Sequence, residues 1–152
     1  MAIKLAQSTR QAGQDWLLGC ARNPTDVLRA WAAEELAPIP SGEHWRVAEG
    51  PLLPSLRAMK HLGSGRLGPV LADVAAGRAW WLLSAAVGDE LDDMPQLTVQ
   101  PAGGLLVSPP VLHAIGERGW LEPPDGSGRL TVPAALCIAF GVGGGSHAEA
   151  PA

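Results

Sequence analysis

Glycine and proline set the grain of this chain, with 19 glycines and 14 prolines spread through 152 residues. Proline fixes φ and removes a backbone donor, and glycine loosens any element it interrupts, so the helices and strands between them must be short. Yet 47% of the residues are hydrophobic and only 17% charged, the composition of a folded globule and not of a disordered chain. A chain of this length buries a sizeable core without metals or disulfides. The expectation is one loop-rich domain.

Aromatic side chains are almost all tryptophan: Trp16, Trp31, Trp45, Trp80, Trp81 and Trp120 stand against Phe140 alone, with no tyrosine. Two lysines against nine arginines and a single asparagine match GC-rich coding, so the imbalance reflects base composition before function. Each indole still buries roughly 150–250 Å² and must find a partner for its N–H. Adjacent residues on a strand point to opposite faces, so Trp80 and Trp81 cannot share one core, and one ring must meet solvent, a helix or a partner.

The order of elements follows from breakers and periodicity. Trp16, Leu17 and Cys20 sit at helical spacing within 11–21, and Asn23 followed by Pro24 and Asp26 marks the start of a second helix. Val27, Leu28, Trp31 and Leu36 continue that helix until Pro38 and Pro40 end it. Trp45 and Val47 alternate as a strand, Pro51 to His61 reads as an amphipathic helix capped by Gly63, and 68–73 with 78–84 read as a hairpin. Leu97-Thr98-Val99 and Leu105-Leu106-Val107 read as a second hairpin around Pro101 to Gly104. A strand at Gly119 to Leu121, a turn at Pro123 to Gly126 and a helix from Pro133 to Phe140 complete the chain. The fold class expected is α+β: a helical hairpin over 1–42, a body with a mixed or antiparallel sheet and packed helices over 43–141, and a disordered tail over 142–152.

Several chemistries are excluded by spacing. Gly63-Ser64-Gly65-Arg66-Leu67-Gly68 matches G-x-G-x-x-G, but a helix precedes it and a strand follows, the reverse of a dinucleotide-binding turn. It reads as a helix cap and loop. No phosphate-binding P-loop and no G-x-S-x-G elbow is present, which leaves no nominated catalytic residue. His44, His61, His113 and His147 lack metal-binding spacing, and Cys20 and Cys137 form neither a CxxC motif nor a zinc set, so no cofactor is expected. The N-terminus lacks a continuous apolar region and no run is long enough to span a bilayer, so the expected setting is cytoplasmic without membrane contact.

A net charge of −4 gives no global basic footprint for nucleic acid, and any such contact needs a local arginine patch. Arg46, Arg57, Arg66 and Arg78 fall on successive elements; Arg46, Arg66 and Arg78, with Trp81 as a stacking ring, are the candidate ligand or nucleic-acid contacts. Asp73 together with Asp89, Asp92 and Asp93 is the candidate set for a divalent cation, since hard cations take oxygen ligands.

Segments His44 to Val47, Leu67 to Asp73 and Gly77 to Leu83, with Leu97 to Val99, Leu105 to Pro110 and Pro124 to Gly128, resemble small actinobacterial proteins of chromosomes, plasmids and integrative elements. Some of these are similar to the N-terminal domain of bifunctional DNA primase/polymerases. The resemblance covers about residues 44–140 and implies an α+β fold with, in active members, metal-dependent nucleotidyl transfer. That chemistry needs two or more carboxylates on neighbouring strand positions, whereas Asp73 stands between Ala72 and Val74, and no family catalytic residue maps onto this chain. The resulting expectation is a non-enzymatic accessory or regulatory binding protein linked to mobile-element replication or transfer in a high-GC actinobacterium. A metal-dependent nucleotidyltransferase and an oligomerising protein-binding module are the alternatives, with a protein partner or second copy as the partner.

Overall fold

The computed structural model describes residues 2–143, and it is an α+β domain built around one antiparallel sheet. The elements are α1 (Ala2–Gly19), α2 (Pro24–Ala32), β1 (Ala37–Pro40), β2 (Arg46–Pro51), α3 (Leu52–Leu62), β3 (Val70–Asp73), β4 (Arg78–Leu83), β5 (Thr98–Val99), β6 (Leu105–Ser108), β7 (Arg118–Glu122) and α4 (Pro133–Gly143). Five strands run in the order β5-β2-β4-β3-β7, every pair antiparallel, and β1 pairs with β6 in a separate two-stranded sheet. No helix among the described residues is long and apolar enough to cross a membrane.

Both faces of the five-stranded sheet are covered, which makes three layers. On one face Ala48, Val70, Ala79, Trp81 and Leu83 pack against Ala58 and Leu62 of α3 and Leu136, Ala139 and Phe140 of α4. Trp81 meets Phe140 edge to face at 6.1 Å and donates its indole N–H to Ser55 Oγ at 3.1 Å, so this buried ring leaves no polar group unpaired. On the other face Val47, Leu71 and Leu82 pack against Leu17 of α1, Cys20 in the turn that follows it, Val27 and Trp31 of α2, Ile39 of β1 and Leu106 of β6. Trp31 donates to Ser108 O, tying α2 to the small sheet, and Trp45 donates to Cys20 Sγ, tying the β1–β2 connection to the turn after α1.

Local signals set the element ends. Asn23 caps α2 by accepting from Asp26 N, with Pro24 at the first helical position. Gly63 ends α3 at φ +75 and donates to Met59 O, which a residue with a Cβ would adopt at a cost. The hairpin β3–β4 closes with Asp73 opposite Arg78.

Two expectations are corrected. The segments at 97–99 and 105–107 do not pair with each other: β5 adds to β2 and β6 adds to β1, because Ser41 N donates to Gly104 O and Gly103 N to Ser41 O. Pro38 and Pro40 do not merely stop a helix that ends at Ala32; they lie within β1, so the reading of 1–42 as helices alone misses a strand. The disordered tail read for 142–152 falls mostly on 144–152, outside the described residues, while α4 extends to Gly143.

Helix α1 docks by a close backbone approach. A Cβ on Gly13 would stand within bonding distance of Pro124 O, and Gln14 Oε1 accepts from Val111 N and Leu112 N nearby. Gly13→Ala is therefore expected to lower stability by at least about 1–3 kcal/mol, the range for overpacking. Gly19→Ala, with open space around it, is expected to be neutral or slightly stabilising. Urea unfolding of both variants checks the pair; equal midpoints would contradict this docking of α1.

Candidate functional site

Alternation brings a charged set to the face that the small sheet only partly covers. On β2, β4, β3 and β7 the register places Glu49 beside Trp80, Trp80 beside Leu71, Arg78 beside Asp73, and Asp73 beside Arg118. All of these residues project on the side of Leu82 and Leu71, away from α3 and α4. Of this face, Val47, Glu49, Trp80 and Arg118 floor a cleft of about 180 Å³ roofed at one side by Gly104, Leu105, Leu106 and Val107, with Ser41 and Gln100 at its walls.

Almost every charge in this floor is bound to another. Arg78 Nε lies 3.1 Å from Glu49 Oε2, and Gln100 Nε2 donates to Glu49 Oε1 at 2.7 Å. Arg118 donates from Nε and Nη2 to Asp73 Oδ2 at 3.2 and 3.1 Å and from Nη1 to Val107 O at 2.9 Å. Its guanidinium carbon stands 4.5 Å from the centre of the Trp80 ring, a cation–π contact worth about 0.5–2 kcal/mol. Partly exposed ion pairs contribute little stability, about 0–1 kcal/mol each, so their main effect is to hold the floor in one geometry. The exception to this saturation is Ser41, whose Oγ is buried and has no partner among the described residues.

None of the sequence candidates lines the cleft; Arg78 comes nearest, through its ion pair with the floor residue Glu49. Arg46 projects to the opposite face and donates from Nη2 to Gln100 O at 2.8 Å, with its Nε buried and unpaired. Arg66 is exposed in the loop after α3, beside His61 and α4. The arginines therefore do not converge. Trp81 is fully buried and touches no surface, so the stacking role falls away from it; Trp80 is the ring at the cleft. The tryptophan pair does divide between faces, and Trp80 meets an arginine there.

Asp73 lies in the charge network and not in a metal set. The N–H of Ala76 donating to Oδ1 at 3.0 Å, followed by Arg118, holds its carboxyl below the ordinary value of 3.8. Asp89, Asp92 and Asp93 are exposed on the connection from β4 to β5, which is anchored by buried Leu91. Among the described residues no three His, Cys, Asp or Glu side chains group as metal ligands. Next to the cleft, Cys20 shares a recess with Glu43 and His44, but burial pushes the thiol pKa up more than the Trp45 N–H lowers it, which keeps the sulfur protonated.

No protein-family model, curated protein or solved structure matches this chain. A functional reading thus rests on the cleft itself. Sequence reasoning missed Ser41, Glu49, Gln100 and Arg118, and between Trp80 and Trp81 it chose the buried ring as the contact. Arg78 two residues before Trp80 signalled one shared face, but only the pairing of β7 with β3 carries Arg118 to it.

The depressed Asp73 carboxyl gives a pH test. An acid whose folded pKa lies below its unfolded value adds stability that is complete above the unfolded pKa and is lost as pH falls through the folded one. The acid-side decline in the urea midpoint, below about pH 5, is expected to be shallower in Asp73→Asn than in the parent chain. Identical slopes would show that the Arg118 and Ala76 contacts do not stabilise the carboxylate.

Proposed function

We propose that this chain is a non-enzymatic binding protein of accessory or regulatory type, and that its ligand lies in the cleft between the two sheets. The observation that carries this reading is the pairing in the floor: Glu49, Arg78, Asp73 and Arg118 are bound to one another, while the buried Ser41 hydroxyl is unspent. A general acid or base must be within reach of substrate and free to exchange a proton, and these groups are held as ion pairs. A buried hydroxyl without a partner costs about 1–3 kcal/mol, and a ligand that bonds to it recovers that loss. The cleft thus favours binding over turnover. Nucleotidyl transfer is less well supported, because the strand neighbours of Asp73 are Arg78 and Arg118, not a second carboxylate. The link to mobile-element replication or transfer rests on the resemblance of residues 44–140 and is retained as part of the proposal.

Chemical-shift mapping of the ¹⁵N-labelled chain against a fragment set tests the site. Hits are expected to move Ser41, Gln100, Val107 and the Trp80 and Arg118 side-chain signals together, and hits confined to other surfaces would refute the assignment. Ser41→Ala is expected to hold stability or raise it by about 1 kcal/mol while weakening those hits severalfold. Loss of stability in that variant would mean that the hydroxyl is already satisfied.

A further inference from the structure

The small sheet has one closed edge and one open edge. In an antiparallel pair, residues alternate between those that exchange hydrogen bonds with the partner strand and those whose N–H and C=O point away from it. Ser41 N donates to Gly104 O, which fixes the parity: Ile39 with Leu106 and Ala37 with Ser108 are the bonded pairs. Pro38 and Pro40 therefore face outward from β1, and having no N–H they leave that edge without donors at both positions. This is the usual protection of an edge strand.

The same parity turns the backbone of Leu105 and Val107 outward from β6. Arg118 Nη1 takes Val107 O, and the outward N–H of each residue and the Leu105 carbonyl have no partner among the described residues. Both side chains are exposed, Leu105 at 57% and Val107 at 39%. The small sheet packs on the five-stranded one, Ile39 and Leu106 sharing a core with Val47, Leu71 and Leu82. Trp80, Glu49 and Arg118 are the floor residues beside the open edge. Backbone groups wait along β6, and the cleft beside it offers room for inward side chains.

We propose that the open edge of β6 accepts an extended peptide segment of another protein as a third strand of the small sheet, a reading that rests on the cleft being the binding site. Strand addition draws affinity from main-chain hydrogen bonds and specificity from alternate side chains. Outward peptide side chains lie alongside Leu105 and Val107 and are apolar. Inward ones meet Trp80, Ser41 and the Glu49 and Arg118 pairs and include polar groups. Arg118 moves with the peptide, since its bond to Val107 O occupies an acceptor that the new strand uses.

A random-peptide library displayed on phage, selected against the full chain, supplies the probe. Selected peptides are expected to protect the Leu105 and Val107 amides from hydrogen exchange and to alternate apolar and polar residues. N-methylation of a peptide at one backbone parity is expected to weaken binding by about tenfold or more per site, and at the other parity to leave it unchanged. Val107→Pro, checked for folding by circular dichroism, is expected to abolish binding. Failure to select a peptide, or indifference to N-methyl parity, overturns strand addition. Protection of both amides by self-association without peptide assigns the edge to a second copy and also overturns it. Peptides that shift Ser41 and Trp80 but leave the β6 amides exchanging would sink strand addition while sparing the cleft.

Discussion

Burial of β4 on both faces is the constraint on which the rest of this structure depends. Ala79, Trp81 and Leu83 face the α3–α4 layer, whereas Leu82 faces the layer of α1, α2 and the small sheet. A slip of one residue in the pairing with β2 or β3 would exchange these sets, sending Trp81 away from Ser55 and Phe140 and the charged Arg78 towards the apolar α3–α4 layer. Register is therefore strongly specified. Because register is fixed, Arg78 and Trp80 can only project on the face that carries the cleft, and Glu49, Asp73 and Arg118 are brought beside them by the pairing of neighbouring strands.

What could be read from the residues was local. The Asn23-Pro24 cap, the α3 periodicity with Gly63, the hairpin of β3 with β4, the short β7 and the C-terminal helix all have signals within a few residues, and all are present. Partner choice between distant strands has no such signal. Pro101 to Gly104 reads as a hairpin turn, yet the flanking strands separate to different sheets because Ser41 claims both Gly103 and Gly104. Pro38 and Pro40 looked like helix breakers, and their role as donor-free positions on an edge strand depends on the distant β6.

The candidate site was correspondingly half visible. Alternation correctly divided Trp80 from Trp81, but choosing which ring faces outward required knowing which face α3 and α4 cover. Arg78 was recognisable as a charged strand residue, while Ser41, Gln100 and Arg118 come from three loops and strands that only the tertiary fold assembles. The arginine constellation failed for the same reason: Arg46 and Arg78 lie near opposite ends of the β2–β4 pair and on opposite faces.

Function in this account derives from an asymmetry in a four-residue strand pair, closed by two prolines on one side and open over a neutral, ion-paired floor on the other. Native-state hydrogen exchange of the unliganded chain tests that asymmetry most directly. The amides of Leu106 and Ser108, bonded to β1, are expected to exchange slowly, and those of Leu105 and Val107 at rates close to an unstructured chain. Uniform protection along β6 would contradict the account, since the edge would then already be filled.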